Sequence, residues 1–280
     1  MGQYGRGLCC RSHLVWRLLS AYLRLIVRQS FHSDGVEIAF MDEGTGASTL
    51  LIHGFASNHR VNWVSTSWVR DLLHAGRRVI AIDNRGHGES GKPHDPAAYR
   101  LSTMVEDARR LLDHLGIEST DVIGYSLGSW IAAKLAILHS ERVSSLALGG
   151  VGDALVRREL FGEPDALVSA LRAPSLDAVN DIRGRAYRVF ADQTGSNREA
   201  LVACILGAKE RFSPDDLRSI DVPVLIAVGS EDTDAGSAER LAALMPRGEA
   251  FVIAGRDHMK AVGDRAHKAA VIDFLNRQGG

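Results

Sequence analysis

From residue 31 onward the chain alternates short apolar runs with longer amphipathic stretches. Val36, Ile38 and Phe40 occupy alternate positions after the turn signal Asp34-Gly35 and predict a half-buried strand. Residues 49–52, 78–82, 121–123, 143–148, 224–228 and 250–253 are continuous apolar runs instead, as expected of strands buried on both faces. Helical periods lie between them. Leu101, Met104, Val105, Ala108, Leu111, Leu112 and Leu115 recur every three or four residues and predict a helix over 101–115 with one apolar face; 237–244 and 266–275 read similarly. Strands alternating with helices predict the α/β class, a mainly parallel sheet covered on both faces, with sites at the carboxyl ends of its strands.

One stretch breaks the alternation. Residues 151–221 contain no convincing strand, only helical periods such as 165–171 and 198–211, punctuated by Pro164, Pro174 and Pro214. Inserted between two sheet strands, they are expected to form a small helical lid over the strands' carboxyl ends. The alternative is a separate domain, for which some seventy residues would make a marginal core.

Composition narrows the class. The chain has 280 residues, 45% hydrophobic and 24% charged, which excludes disorder, a collagen-like fibre and a disulfide scaffold. Cys9, Cys10 and Cys204 form no framework and suit a reducing, cytoplasmic setting. The net charge of -1 carries no global basic field for nucleic acid, but it conceals an asymmetry. Residues 1–33 hold Arg6, Arg11, Arg17, Arg24 and Arg28 and no acid, so this segment is +5 and the remainder -6. Within it, residues 14–28 read as a basic amphipathic helix, too short and too interrupted to span a bilayer. Residues 1–30 are therefore read as an extension ahead of a single globular domain over 31–280. Three roles fit the extension: a peripheral membrane or partner contact, an organelle transit peptide, or no function at all.

The chemistry begins at Gly124-Tyr125-Ser126-Leu127-Gly128. A nucleophilic serine must be presented at a sharp strand-to-helix turn, and glycines two residues either side let the backbone make it. With 28 glycines and 23 serines, a chance match arises in roughly one of four or five such chains, so context must decide. Here an apolar run, 121–123, precedes the motif, and a largely apolar helical stretch, 130–138, follows it. The helix amino terminus would also favour an oxyanion. A serine needs a base, and His258, on the loop after the last strand, has the best position among the eleven histidines. His53 and His87 sit beside glycines in turns, His74, His114 and His139 fall on helical faces, and His267 is the runner-up. The imidazole needs a carboxylate. The loop after 224–228 offers Asp232, three residues beyond Gly229, with Glu231 and Asp234 beside it and Asp153 as a more distant alternative. Backbone N-H groups of Phe55, after His53-Gly54, and of Leu127 would form the oxyanion hole.

Together these features resemble the α/β-hydrolase superfamily from about residue 31 to the carboxyl terminus. The order Ser126, Asp232, His258 is the family order, the His-Gly loop stands upstream, and Asp83-Asn84-Arg85-Gly86-His87-Gly88-Glu89-Ser90 is similar to the family's D-x-R-G-x-G-x-S loop. The resemblance implies an eight-stranded-type, mainly parallel sheet with a helical lid. It also implies a serine hydrolase, carboxylesterase-like, that cleaves a small ester through an acyl-enzyme on Ser126. In that loop Arg85 and Ser90 are expected to hold backbone near the oxyanion loop. Ser126 argues against the aspartate-nucleophile branches, the epoxide hydrolases and haloalkane dehalogenases. Thioesterase, lactonase, perhydrolase and carbon-carbon bond hydrolase chemistry stay open on the same residues, and a non-catalytic ligand receptor or interaction module is the alternative of another class. Asn58, Trp63, Tyr125, Tyr187 and Phe190 are the candidate pocket residues. Arg157, Arg158, Arg183, Arg185 and Arg188 leave room for an anionic substrate. No spaced Cys/His set, phosphate-cradling loop or dinucleotide fingerprint stands in the chain, so no metal or cofactor is expected.

Overall fold

Asp34 and Gly35, both at positive φ (50° and 76°), turn the chain between two antiparallel strands, β1 (Gln29–Ser33) and β2 (Val36–Glu43). The computed structural model describes residues 29–278. β1 was not predicted: Phe31 is its one large apolar side chain, and an edge strand buries too little to show a hydrophobic pattern. Because Gln29 and Ser30 pair with Phe40 and Ala39, the sheet begins inside the expected 1–30 extension. The amphipathic stretch 14–28 lies outside the described residues.

Six further strands complete one sheet: β3 (Ser48–Ile52), β4 (Arg78–Ile82), β5 (Thr120–Tyr125), β6 (Val143–Gly149), β7 (Val224–Gly229) and β8 (Gly248–Ile253). Their order is β1-β2-β4-β3-β5-β6-β7-β8, parallel from β4 to β8. The apolar runs are continuous because alternate residues serve two cores. Leu50, Ile52, Ile80 and Ile82 face one, and Leu51, Val79, Ala81 and Ile123 face the other, with Trp63, Trp68 and Phe274.

The covering helices follow their sequence periods. They are α1 (Trp68–His74), α2 (Leu101–His114) and α3 (Leu127–Leu138). α2 buries Leu101, Met104, Val105, Ala108, Leu111 and Leu112, the predicted face. α3, apolar nearly all round, buries nine of its residues between the sheet and the segment that follows β6. That segment holds α4 (Ala154–Arg157), α5 (Asp165–Arg172), α6 (Ile182–Gln193), α7 (Arg198–Gly207) and α8 (Pro214–Arg218), and no strand interrupts it. The side chains of Asp181, Asn197 and Ser213 cap α6, α7 and α8. After β7 come α9 (Ala238–Ala242), α10 (His258–Ala261) and α11 (Arg265–Gln278). Among the described residues no helix is long and apolar enough to cross a membrane.

One ion pair ties this frame together. Arg85 donates from Nε and Nη2 to both oxygens of Asp107 on α2, at 2.7 Å each, with both side chains 2% exposed. Asp107→Ala would strand a buried guanidinium, so urea denaturation is expected to show a loss of about 3–5 kcal/mol; a loss within 1 kcal/mol would mean that the pair holds nothing.

The strand order locates the site. β4 lies on one side of β3 and β5 on the other, so the connections after β3 and β5 leave in opposite directions and open a crevice at their carboxyl ends. Ile52 and Gly124 are paired at that edge, which sets His53-Gly54-Phe55 beside Tyr125-Ser126-Leu127.

Candidate active site

Ser126 bridges β5 and α3 with φ 52° and ψ -116°, a conformation costly for any residue with a Cβ. The flanking glycines make it sterically feasible. A Cβ on Gly124 would lie 2.6 Å from the Ser129 nitrogen, and one on Gly128 would lie 2.9 Å from the His53 carbonyl oxygen and nearer still to that of Ile52. The Ser126 N-H donates to Gly149 O (2.9 Å) on β6, while its own carbonyl accepts the Ser129 N-H (2.9 Å) and starts the helix. Leu127 is the first residue of α3, so its N-H has no acceptor within the helix.

His258 reaches Ser126 from the loop beyond β8, with Nε2 3.0 Å from Ser126 Oγ and Nδ1 2.7 Å from Asp232 Oδ2. The carboxylate can only accept, so the proton sits on Nδ1 and Nε2 is left to accept from the serine hydroxyl. Asp232 is held in turn: its other oxygen, Oδ1, accepts the N-H groups of Ala235 (3.0 Å) and Asp234 (3.2 Å), and its side chain is 1% exposed. The imidazole loop is anchored from the serine side too, because the Tyr125 hydroxyl donates to His258 O. Burial raises the Tyr125 phenol well above its ordinary range, so it keeps that proton.

The other candidate acids face elsewhere. Asp153 accepts the Ser237 N-H (2.8 Å) and pairs with Arg157, Asp234 lies 3.4 Å from Arg183, and Glu231 is exposed. His267 packs edge-on to Trp68 and donates from Nδ1 to Ala261 O (3.0 Å), with no hydrogen bond to Ser126. Burial pushes it down to about 4 from 6.5. The unfolded chain therefore binds a proton that the folded chain refuses between these values, and stability falls as pH drops through that window. Between pH 6.5 and 5 this group should cost on the order of 2 kcal/mol. Buried His53 and His87 act in the same direction, so His267→Gln is expected to remove its own share of the dependence in denaturation series at the two pH values; an unchanged slope would refute the attribution.

The loop after β3 passes directly over the serine, where a Cβ on Gly54 would stand 3.3 Å from Ser126 Cβ. Its shape is set by His53, whose Nδ1-H donates to Gly54 O (2.7 Å) while Nε2 accepts the Asn84 N-H (3.0 Å). Burial lowers the pKa of His53 and favours this neutral form. Asn62 Oδ1 accepts the Gly54 N-H (3.1 Å). Of the 83–90 loop it is Asn84 that bonds His53, while Asp83 Oδ1 accepts the His59 N-H (2.7 Å) further along the same segment. Arg85 grips α2, and Ser90 spans from Asp83 O (2.6 Å) to the Ala39 N-H (2.9 Å) on β2.

A cavity of about 170 Å³ opens beside Ser126 and His258, walled by Phe55, Val61, Tyr125, Tyr187, Phe190 and Met259. Phe55 meets Phe161 and Tyr187 of the helical insertion at ring-centre distances of 4.9 and 6.0 Å. Two predicted pocket residues do not line it. Trp63 is fully buried against Trp68 in the opposite core, and Asn58 turns back so that its Oδ1 accepts the Val61 N-H (2.9 Å). A π-helical turn, Arg60–Val64, delivers Val61 and Asn62 to the cavity instead. A wide turn shifts which face each residue takes, and nothing in the sequence announces it. Among the described residues no group of three or more His, Cys, Asp or Glu side chains is gathered to hold a metal ion.

A family model described as the alpha/beta hydrolase fold matches residues 50–166. A non-heme haloperoxidase of Rhodococcus erythropolis is 30% identical over 279 residues, covering 87% of this chain and 97% of the relative. The chain belongs to the α/β-hydrolase family. A Bacillus subtilis (strain 168) protein provisionally named a 2-succinyl-6-hydroxy-2,4-cyclohexadiene-1-carboxylate synthase is also similar to this hydrolase, 30% identical over 227 residues, 71% of this chain and 80% of that one. Among solved structures, an esterase from Exiguobacterium antarcticum superposes with a TM-score of 0.73 over 89% of the hydrolase and 100% of the esterase; at 20% identity it speaks for the fold.

Proposed function

We propose that this α/β-hydrolase is a serine hydrolase that cleaves a small ester through an acyl-enzyme on Ser126. The observation that carries the reading is the unbroken hydrogen-bond chain from Ser126 Oγ through His258 to the buried Asp232. Ser126 attacks the ester carbonyl as Nε2 of His258 takes its proton, and the imidazolium that forms is met by Asp232. Charge on the tetrahedral oxygen is received by the N-H groups of Phe55 and Leu127, a reading supported by the pairing of Ile52 with Gly124 just before the two loops. His258 then protonates the leaving alcohol, and water activated by the same ring releases the acid. Residues 151–221 act as the lid: Tyr187 and Phe190 supply the apolar roof that keeps the acyl-enzyme from indiscriminate solvent.

A panel of p-nitrophenyl acetate, butyrate and octanoate tests this, with the protein's mass followed in the first turnovers. The expected result is a burst of nitrophenol and one acyl group on the peptide carrying Ser126. Turnover without acylation of that peptide would overturn the mechanism. Matched thioesters, lactones and vinylogous diketones run beside the panel rank the remaining chemistries, and ligand binding with no turnover of any of them would favour a receptor.

A further inference from the structure

A smaller lobe of about 30 Å³ lies on the other side of Ser126 and His258, and two cationic side chains enter it that ester hydrolysis leaves without a task. Arg158, just after α4, donates from Nη1 to Leu160 O (2.9 Å) and from Nη2 to Asp234 O (3.0 Å). These are neutral carbonyls, so they orient the guanidinium and do not balance its charge. Arg183 comes from α6 and lies over the Tyr187 ring, 5.6 Å from its centre. Its Nε is buried without a hydrogen-bond partner, although Asp234 Oδ2 is 3.4 Å away. Neighbouring Arg157, by contrast, is paired with Asp153 at 2.9 Å. Arg183 thus has the Asp234 carboxylate as its neighbour, whereas Arg158 bonds only to carbonyls, which leaves, among the described residues, a guanidinium with no carboxylate partner on a partly buried wall beside the serine. Burial, and then the proximity of Arg183, hold the Arg158 guanidinium below its ordinary range, the direction that a bound anion would reverse.

We propose that Arg158 and Arg183 form a carboxylate subsite, so that the preferred substrate is an ester carrying a second, ionised carboxylate on a short arm. The lobe has room for a group the size of one or two waters, which suits a carboxylate and excludes an alkyl chain or an aryl ring. Guanidinium donors fit a planar carboxylate better than a point charge does. The larger apolar lobe takes the other end of the ester. This inference rests on Ser126 being the nucleophile, because the subsite is defined by its place next to that hydroxyl.

The test compares monomethyl glutarate with dimethyl glutarate, the same skeleton with its second carboxyl uncharged, by titrating released acid. Wild type is expected to favour the monoester by about 10- to 100-fold in kcat/KM. Arg183→Gln should bring that ratio close to unity, and Arg183→Lys should recover part of it. A wild-type preference for the diester, or an equal loss on both esters in Arg183→Gln, overturns the subsite while leaving Ser126 as nucleophile. If neither ester turns over, the p-nitrophenyl panel decides the nucleophile reading, and calorimetric titration of glutarate decides the subsite separately. Binding to Ser126→Ala that disappears in Ser126→Ala/Arg183→Gln supports it, and no binding to either protein overturns it.

Discussion

Ser126→Ala is expected to lower kcat/KM for any ester the protein hydrolyses by at least about 10⁴-fold, with the unfolding midpoint unchanged within a few degrees. The size follows from cooperation among the three groups. Without the hydroxyl, His258 has no proton to take from a nucleophile, and only the oxyanion donors and the cavity remain to assist water. A loss of 10⁴ corresponds to about 5.5 kcal/mol of transition-state stabilisation. Stability should hold because the packing at the elbow belongs to Gly124 and Gly128 and the hydrogen bonds to backbone, none of which alanine disturbs. Alanine also keeps the Cβ, so the strain at φ 52° is neither relieved nor increased. Ser126→Gly provides the control for strain: equally inactive, but free of the left-handed penalty. The decisive measurements are initial rates on the p-nitrophenyl panel and thermal unfolding of both variants. A rate within tenfold of wild type in Ser126→Ala would move the nucleophile elsewhere.

The fold was legible because burial on both faces leaves continuous apolar runs and α2 leaves a 3.6-residue stripe; those signals are local. The elbow was legible because its glycines stand in the motif itself: Gly124 is dictated by contacts with Gly128 and Ser129 a few residues on, and Gly128 by the close approach of Ile52 from a distant strand. β1 was silent because an edge strand carries little apolar load. The pocket was only half legible. Tyr187 and Phe190 are large apolar residues in a helical segment, and they do line the cavity. Trp63 and Asn58 turn away because the orientation of residues 58–64 depends on a π-helical turn whose geometry is fixed by long-range bonds, such as His59 to Asp83. The paired guanidiniums were beyond sequence for a different reason. The nine arginines of residues 151–221 look alike in the chain, and only folding separates Arg157 and Arg188, turned to Asp153 and Asp192, from Arg158 and Arg183, which reach the lobe beside Ser126.

Asp232→Asn, isosteric and uncharged, is expected to reduce kcat by about 10³- to 10⁴-fold with little change in KM. The reason lies in how the carboxylate is held. Oδ1 accepts two backbone N-H groups, from Ala235 and Asp234, so an amide at this position must turn its oxygen toward them. Its NH₂ then faces Nδ1 of His258, which must become an acceptor and pass its proton to Nε2. In that tautomer Nε2 points an N-H at Ser126 Oγ, and the ring can no longer take the serine proton. Loss of the negative charge removes the partner of the imidazolium as well. Asp153→Asn and Glu231→Gln serve as controls on the choice of acid. Asp153 is committed to the Ser237 N-H and Arg157, and Glu231 faces solvent, so both variants should stay within about threefold of wild type in rate, the scale of an interaction worth under 1 kcal/mol. Single-turnover rates separate the outcomes. A loss in Asp153→Asn as large as that in Asp232→Asn would show that the histidine is oriented from the end of β6 during turnover, and the chain from Ser126 to Asp232 would then describe a resting arrangement only.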